Sequence, residues 1–133
     1  MSPCGSCCTA CRPAGCRRAR TWRRCRTALI NPAITPLGDE KVDLWERCLS
    51  LPGLYAQVPR FKHIRIRYQN TDAEWMEREC HGFHATLLQH ECDHLDGVLY
   101  PARMPDATAL AYASEVCGPS GTYEYTVADF EGR

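Results

Sequence analysis

The run His90-Glu91-Cys92-Asp93-His94 constrains this chain more than any other, because its spacing makes chemical sense only on a helix. Side chains four residues apart on a helix lie one above the other, so the imidazoles of His90 and His94 can meet on a single cation. Glu91 stands beside that face, within reach of a water held by the cation without being a ligand itself, and this is the layout of metal-assisted hydrolysis. The plain alternative is two histidines on a half-buried helix with Glu91 as a solvated charge. The flanking residues weigh against it: Phe83, Leu87, His90 and His94 recur at helical spacing, which predicts one inward-facing stripe. Gly97 is the expected helix stop, and Val98-Leu99-Tyr100 reads as a short strand before Pro101.

Two imidazoles do not complete a catalytic metal site, which takes three protein ligands and leaves a fourth position open. A third histidine six residues past His94 would suit a metzincin protease, but Tyr100 stands there. A downstream glutamate would suit a thermolysin-like protease, with Glu115 and Glu124 as the nearby candidates in a weakly patterned tail. The better candidate lies upstream in Glu46-Arg47-Cys48-Leu49-Ser50, where the Cys48 thiolate would bind zinc or ferrous iron strongly.

The stretch from Leu29 to Pro32 is strand-like until its proline, and Val42 to Cys48 reads as a second strand. Arg60 to Tyr68 alternates, with Ile64, Ile66 and Tyr68 on one face. Gln69-Asn70-Thr71-Asp72 is a polar turn, and a strand over about Trp75 to Cys80 pairs back as a hairpin leading into the histidine helix. Antiparallel strands around one motif-bearing helix predict an α+β fold. From Pro105 patterning fades; Ala107 to Val116 has the propensity for a short helix, and Gly118-Pro119-Ser120-Gly121 marks a break. The organisation expected is an Arg/Cys-rich segment over residues 1–27, a catalytic domain over 28–104 and a tail over 105–133. His63 is placed on the polar face of its strand, His81 and His84 at the surface or rim, and Cys92 away from the metal face. Cys80 and Cys117 carry no evident chemistry.

Residues 1–26 hold six of the ten cysteines and seven arginines with no acidic residue, and because the whole chain is formally neutral the remainder carries −7. With Trp22 as its only large apolar side chain, this segment cannot bury a core and is expected to be disordered. Cys4, Cys7, Cys8 and Cys11 as a zinc site, a basic arm for RNA or ribosome contact, an organellar transit peptide and a shifted reading frame are the competing readings; the last accounts best for the composition. No apolar run suits a secretory signal or a membrane helix. The need for a Cys48 thiolate points to a reducing compartment.

Taken together, Leu29-Ile30-Asn31-Pro32, Glu46-Arg47-Cys48-Leu49-Ser50, Leu51-Pro52-Gly53, Val58-Pro59-Arg60, Gly82-Phe83 and Gln89 to Gly97 resemble peptide deformylase, over about Ala28 to Met104. The resemblance implies a metal-dependent hydrolase that removes the formyl group from the initiator methionine of nascent chains. It implies one divalent metal on Cys48, His90 and His94, commonly Fe2+ in that family, with Zn2+ also suited to the donors. Glu91 would be the general base and acid, and the Leu49 backbone N–H would donate to the oxyanion. Phe83, Thr86 and Leu87 would line the methionine pocket, and Arg60 and Asp93 would orient the ligands. The implied setting is a monomer in the bacterial cytoplasm, rather than an organelle, near the ribosome and with no DNA or membrane partner.

Two departures qualify this. Arg47 stands where the family's second motif has glycine, so a backbone angle reserved for glycine there would distort the Cys48 turn. The family's first motif, Gly-x-Gly-x-Ala-Ala-x-Gln, has no match in the chain, and the fold is therefore expected to be truncated or altered at its N-terminus. An inactive deformylase-like metal-binding protein, the product of an altered frame and, more distantly, a generic metallopeptidase are the alternative functions.

Overall fold

A computed structural model of the chain describes residues 27–131, and the expectations for residues 1–26 lie outside them. Among the described residues, two three-stranded antiparallel sheets flank a single long helix. The first sheet has the order β1-β4-β5, with β1 Ile30–Pro36, β4 His63–Gln69 and β5 Trp75–His81. The second has the order β2-β3-β6, with β2 Lys41–Glu46, β3 Leu54–Phe61 and β6 Leu110–Tyr112. The helix α1, Gly82–Leu95, follows β5 directly. This is the α+β arrangement that the strand and helix patterns predict.

Period-two alternation explains the core. Ile64, Ile66 and Tyr68 point to one side of β4 and meet Cys80 of β5 and Ala85 and Leu88 of α1. Ile64 and Ile66 are fully buried, each contributing roughly 1.5–3 kcal/mol. A second cluster joins Ala56 and Val58 of β3 to Tyr100, with Cys48 and Leu51 packed against it. Tyr100 donates from its hydroxyl to the Leu54 carbonyl at 3.0 Å, which satisfies its polar end.

Several boundaries differ from the sequence reading, each for a physical reason. Strand β1 does not stop at Pro32 but runs to Pro36, because it is an edge strand with a bulge between Ile30 and Ala33, where missing N–H donors are tolerated. The long alternation from Arg60 breaks at Lys62, whose N–H donates to the Glu40 carbonyl while its own carbonyl accepts from the Gly82 N–H, so the chain changes sheets there. Strand β3 was not anticipated as a whole, since Pro59 interrupts its pattern; β6 pairs only with Leu54 to Ala56, which leaves Pro59 paired on one side only, with β2.

Val98 to Tyr100 is not a strand. Gly97, at φ +72°, ends α1, with the Val98 N–H bonded to the Asp93 carbonyl at 2.8 Å and the Gly97 N–H to that of His94 at 3.2 Å. Pro101 then opens a 3₁₀ turn, Tyr100–Arg103. Ala107 to Val116 is not one helix but a 3₁₀ turn, Ala107–Ala109, then β6 and a single turn α2, Ala113–Val116. A last short helix α3, Val127–Glu131, packs near β2. No helix among the described residues is long and apolar enough to cross a membrane.

Candidate metal centre

Helix α1 presents two faces to two different neighbours. Ala85 and Leu88 enter the core, while Phe83, Thr86, Leu87, His90 and Glu91 line a cavity of about 330 Å³. The predicted inward stripe is therefore half correct. Phe83 and Leu87 are 50% and 42% exposed, because the wall they form borders the cavity.

The turn after β2 brings Cys48 to the C-terminal half of α1. One ligand atom each from Cys48, His90 and His94 lies within 4.8 Å of the others. The Cys48 Sγ is 3.3 Å from His94 Nε2, and the two imidazoles meet edge to face with centroids 4.7 Å apart. Burial alone would raise the Cys48 thiol, but hydrogen bonds from the Ser50 backbone and hydroxyl and from His90 and His94 bring it down to about 6. A thiolate at neutral pH and two converging imidazoles are a donor set that fits a divalent transition metal. Neither Glu115 nor Glu124 joins this group.

A buried chain of charges holds the set in place. His90 donates from Nδ1 to Glu46 Oε2 at 2.8 Å, which leaves its Nε2 available as a donor to a cation. That carboxylate pushes His90 up to about 9. Arg60 grips Glu46 through two parallel bonds, Nε to Oε1 at 2.7 Å and Nη2 to Oε2 at 2.9 Å, and reaches Asp93 Oδ2 from Nη1 at 2.7 Å. Arg103 closes on Asp93 Oδ1 at 2.7 Å. Burial would raise both acids, yet the guanidinium contacts prevail and hold Glu46 and Asp93 below the ordinary carboxylate range.

Gln89 clamps the helix to β3, donating to the Phe61 carbonyl at 2.9 Å and accepting from the Phe61 N–H at 3.1 Å. Because Arg60 is nearly enclosed, Arg60→Ala would strand two buried carboxylates. Its expected loss of stability is about 3–5 kcal/mol, read from the midpoint of denaturant unfolding. Arg60→Lys should recover little, since an ammonium cannot reproduce the two-pronged contact. A loss below about 1 kcal/mol for Arg60→Ala would mean the carboxylates find water instead.

Of the other expected residues, Arg60 and Asp93 belong to this network. Leu49 leads out of the Cys48 turn and is 99% exposed. Arg47 causes no strain, because Asn31 and Ala73 are the non-glycine residues with positive φ among those described. It lines the cavity instead of merely facing solvent. Glu46 is a functional residue that the sequence reading does not single out, because its contact with His90 spans residues far apart in the chain. Tyr55, Thr122, Tyr123 and Tyr125 also line the cavity, and Tyr125 packs on Phe83 with ring centroids 5.5 Å apart. His84, partly buried, is pushed down by loss of solvent.

Comparisons with known proteins agree with this geometry. The polypeptide deformylase family profile matches residues 12–109. Peptide deformylase 1 of Bordetella pertussis is 53% identical over 94 residues, 71% of this chain and 53% of that protein. Peptide deformylase 1 of Prochlorococcus marinus is 46% identical over 91 residues, 68% of this chain and 47% of that protein. Among solved structures, the peptide deformylase from Synechococcus elongatus in complex with actinonin has a TM-score of 0.58 at 32% identity, over 62% of this chain and 46% of its own. That of Thermotoga maritima has a TM-score of 0.56 at 41% identity, over 59% of this chain and 53% of its own. The chain spans about half the length of the curated relatives it matches. With a family match across most of its length and Cys48, His90 and His94 brought together in the fold, the chain belongs to the polypeptide deformylase family.

Proposed function

We propose that this chain hydrolyses the N-formyl group from the initiator methionine of newly made polypeptides, using one divalent metal held by Cys48, His90 and His94. The observation that carries the reading is the convergence of those three ligand atoms within 4.8 Å beside a cavity that Glu91 also lines. A metal bound there supplies Lewis acidity, making water a nucleophile near neutral pH. Glu91 accepts the proton of the attacking water and returns it to the leaving amine nitrogen. The Leu49 N–H donates to the oxygen that gains charge as the formyl carbon becomes tetrahedral. Phe83, Thr86 and Leu87 hold the methionine side chain, while Glu46, Arg60 and Asp93 keep the imidazole of His90 in one tautomer and orientation.

The donor set suits Fe2+ and Zn2+ alike, and Fe2+ is the ion we assign. We place the protein in the bacterial cytoplasm as a monomer acting on chains as they leave the ribosome. The test is release of formate from a formyl-methionyl peptide under anaerobic conditions, with the chain loaded with Fe2+ or with Zn2+. Turnover that depends on added metal and on the formyl-methionyl end is expected, with Fe2+ the faster. Metal binding without formate release would reduce the chain to a binding protein, and cleavage of unformylated peptides would favour a general peptidase.

A further inference from the structure

Side chains two apart on a strand share a face, so Glu79 and His81 of β5 emerge on the same side of the hairpin. The β4–β5 register sets His63 directly across from His81 and Arg65 across from Glu79. The two imidazoles stack, with centroids 3.8 Å apart and planes 26° from parallel. One ligand atom from each of His63, Glu79 and His81 falls within 4.8 Å of the others, the second such group among the described residues. We propose that His63, Glu79 and His81 form a second site for a divalent transition metal of the zinc class, independent of Cys48, His90 and His94.

Two imidazoles and one carboxylate are a three-ligand zinc set that leaves a position for water. The carboxylate is already divided as such a site requires. Its Oε1 accepts from Arg65 Nη2 at 2.9 Å, while Oε2 faces His63 Nε2 at 3.3 Å. That nitrogen is shielded from solvent, yet the contact lacks hydrogen-bond alignment and no other group pairs with it. A buried polar atom left in this way marks a missing partner. Arg65 takes the outer role of holding a ligating carboxylate in one orientation, and its charge is offset by Glu77 at 3.4 Å as well as by Glu79. Arg67 is turned aside over the ring of Trp75, 4.2 Å from its centroid. His81 is also the residue immediately before the first turn of α1, so an ion here would tie the hairpin to the start of the helix that carries His90.

The probe is Zn2+ alone, titrated calorimetrically into the full chain already holding one equivalent at the first centre, with the imidazole resonances followed by NMR. A second, weaker equivalent that shifts the His63 and His81 signals is expected. Its affinity should fall by at least ~10-fold in His63→Ala, His81→Ala and Glu79→Gln, since even an outer partner of a ligand typically carries ~10–100-fold. The first equivalent should be untouched in all three. Glu79→Gln keeps size and surface polarity, which separates loss of a ligand from loss of fold. A single equivalent in the unaltered chain, or a second one that persists in the variants because other residues hold it, would overturn the proposal.

Discussion

Alanine at any one of Cys48, His90 or His94 is expected to remove the metal from the first centre and, with it, all formate release. Each side chain supplies one of three donors lying within 4.8 Å of one another, and two donors cannot hold the ion against water. Affinity should drop by more than ~10²-fold, beyond the ~10–100-fold typical of an outer partner. The titrating groups add a pH signature. Without metal, His90 keeps its proton up to about 9, because Glu46 stabilises the imidazolium. A cation must displace that proton, so affinity should rise ~10-fold per pH unit from 7 toward 9 and level off above. Below about 6 the Cys48 thiol also holds its proton, and the dependence should steepen. Competition titrations with a chelator at several pH values measure this; a flat profile would show that the metal displaces no proton from His90 in this range.

Glu91→Gln is expected to leave metal content unchanged and lower kcat by ~10²–10⁴-fold. The amide keeps the size and part of the hydrogen bonding of the acid but cannot take a proton from water or pass it to the leaving nitrogen. Glu91 lines the cavity from the exposed edge of α1, outside the group that can hold the ion, so the substitution separates proton transfer from metal binding. Loss of metal in parallel with activity would assign Glu91 to the wrong role. Full activity in the variant would move the base to another residue altogether.

Short-range spacing explains why so much of the centre was readable in advance. The i, i+4 pair on α1, the glycine that ends the helix and the β4–β5 hairpin depend on residues within a few positions of one another. Cys48 was accessible because a metal site needs a third donor and thiolates are strong ones. Glu46 was not, since its bond to His90 exists only through the β2–β3 register and the docking of α1, both contacts between residues far apart in sequence. Proline hid the true extents of β1 and β3, because a breaker in a central strand is harmless at an edge, and edges are set by topology. Tyr123 and Tyr125 reach the cavity from a stretch with no periodicity at all, held partly by the Tyr125 hydroxyl on the Trp45 carbonyl. His63 was assigned to an exposed face but is half-buried, since stacking on His81 depends on the same hairpin register.

The alternating series Glu46, Arg60, Asp93, Arg103 also restricts how such a chain can evolve. Arg60 touches both acids and Asp93 touches both arginines, so neutralising any one member leaves a charge that its neighbours were arranged to balance. A wholly apolar substitute for the inner members can be as stable as the ionic original, but each single step toward it is much less stable than either end. Lineages carrying this network are therefore held in a deep local optimum. The four positions are expected to be replaced together, whereas Arg47 stands outside the series and is not bound by it.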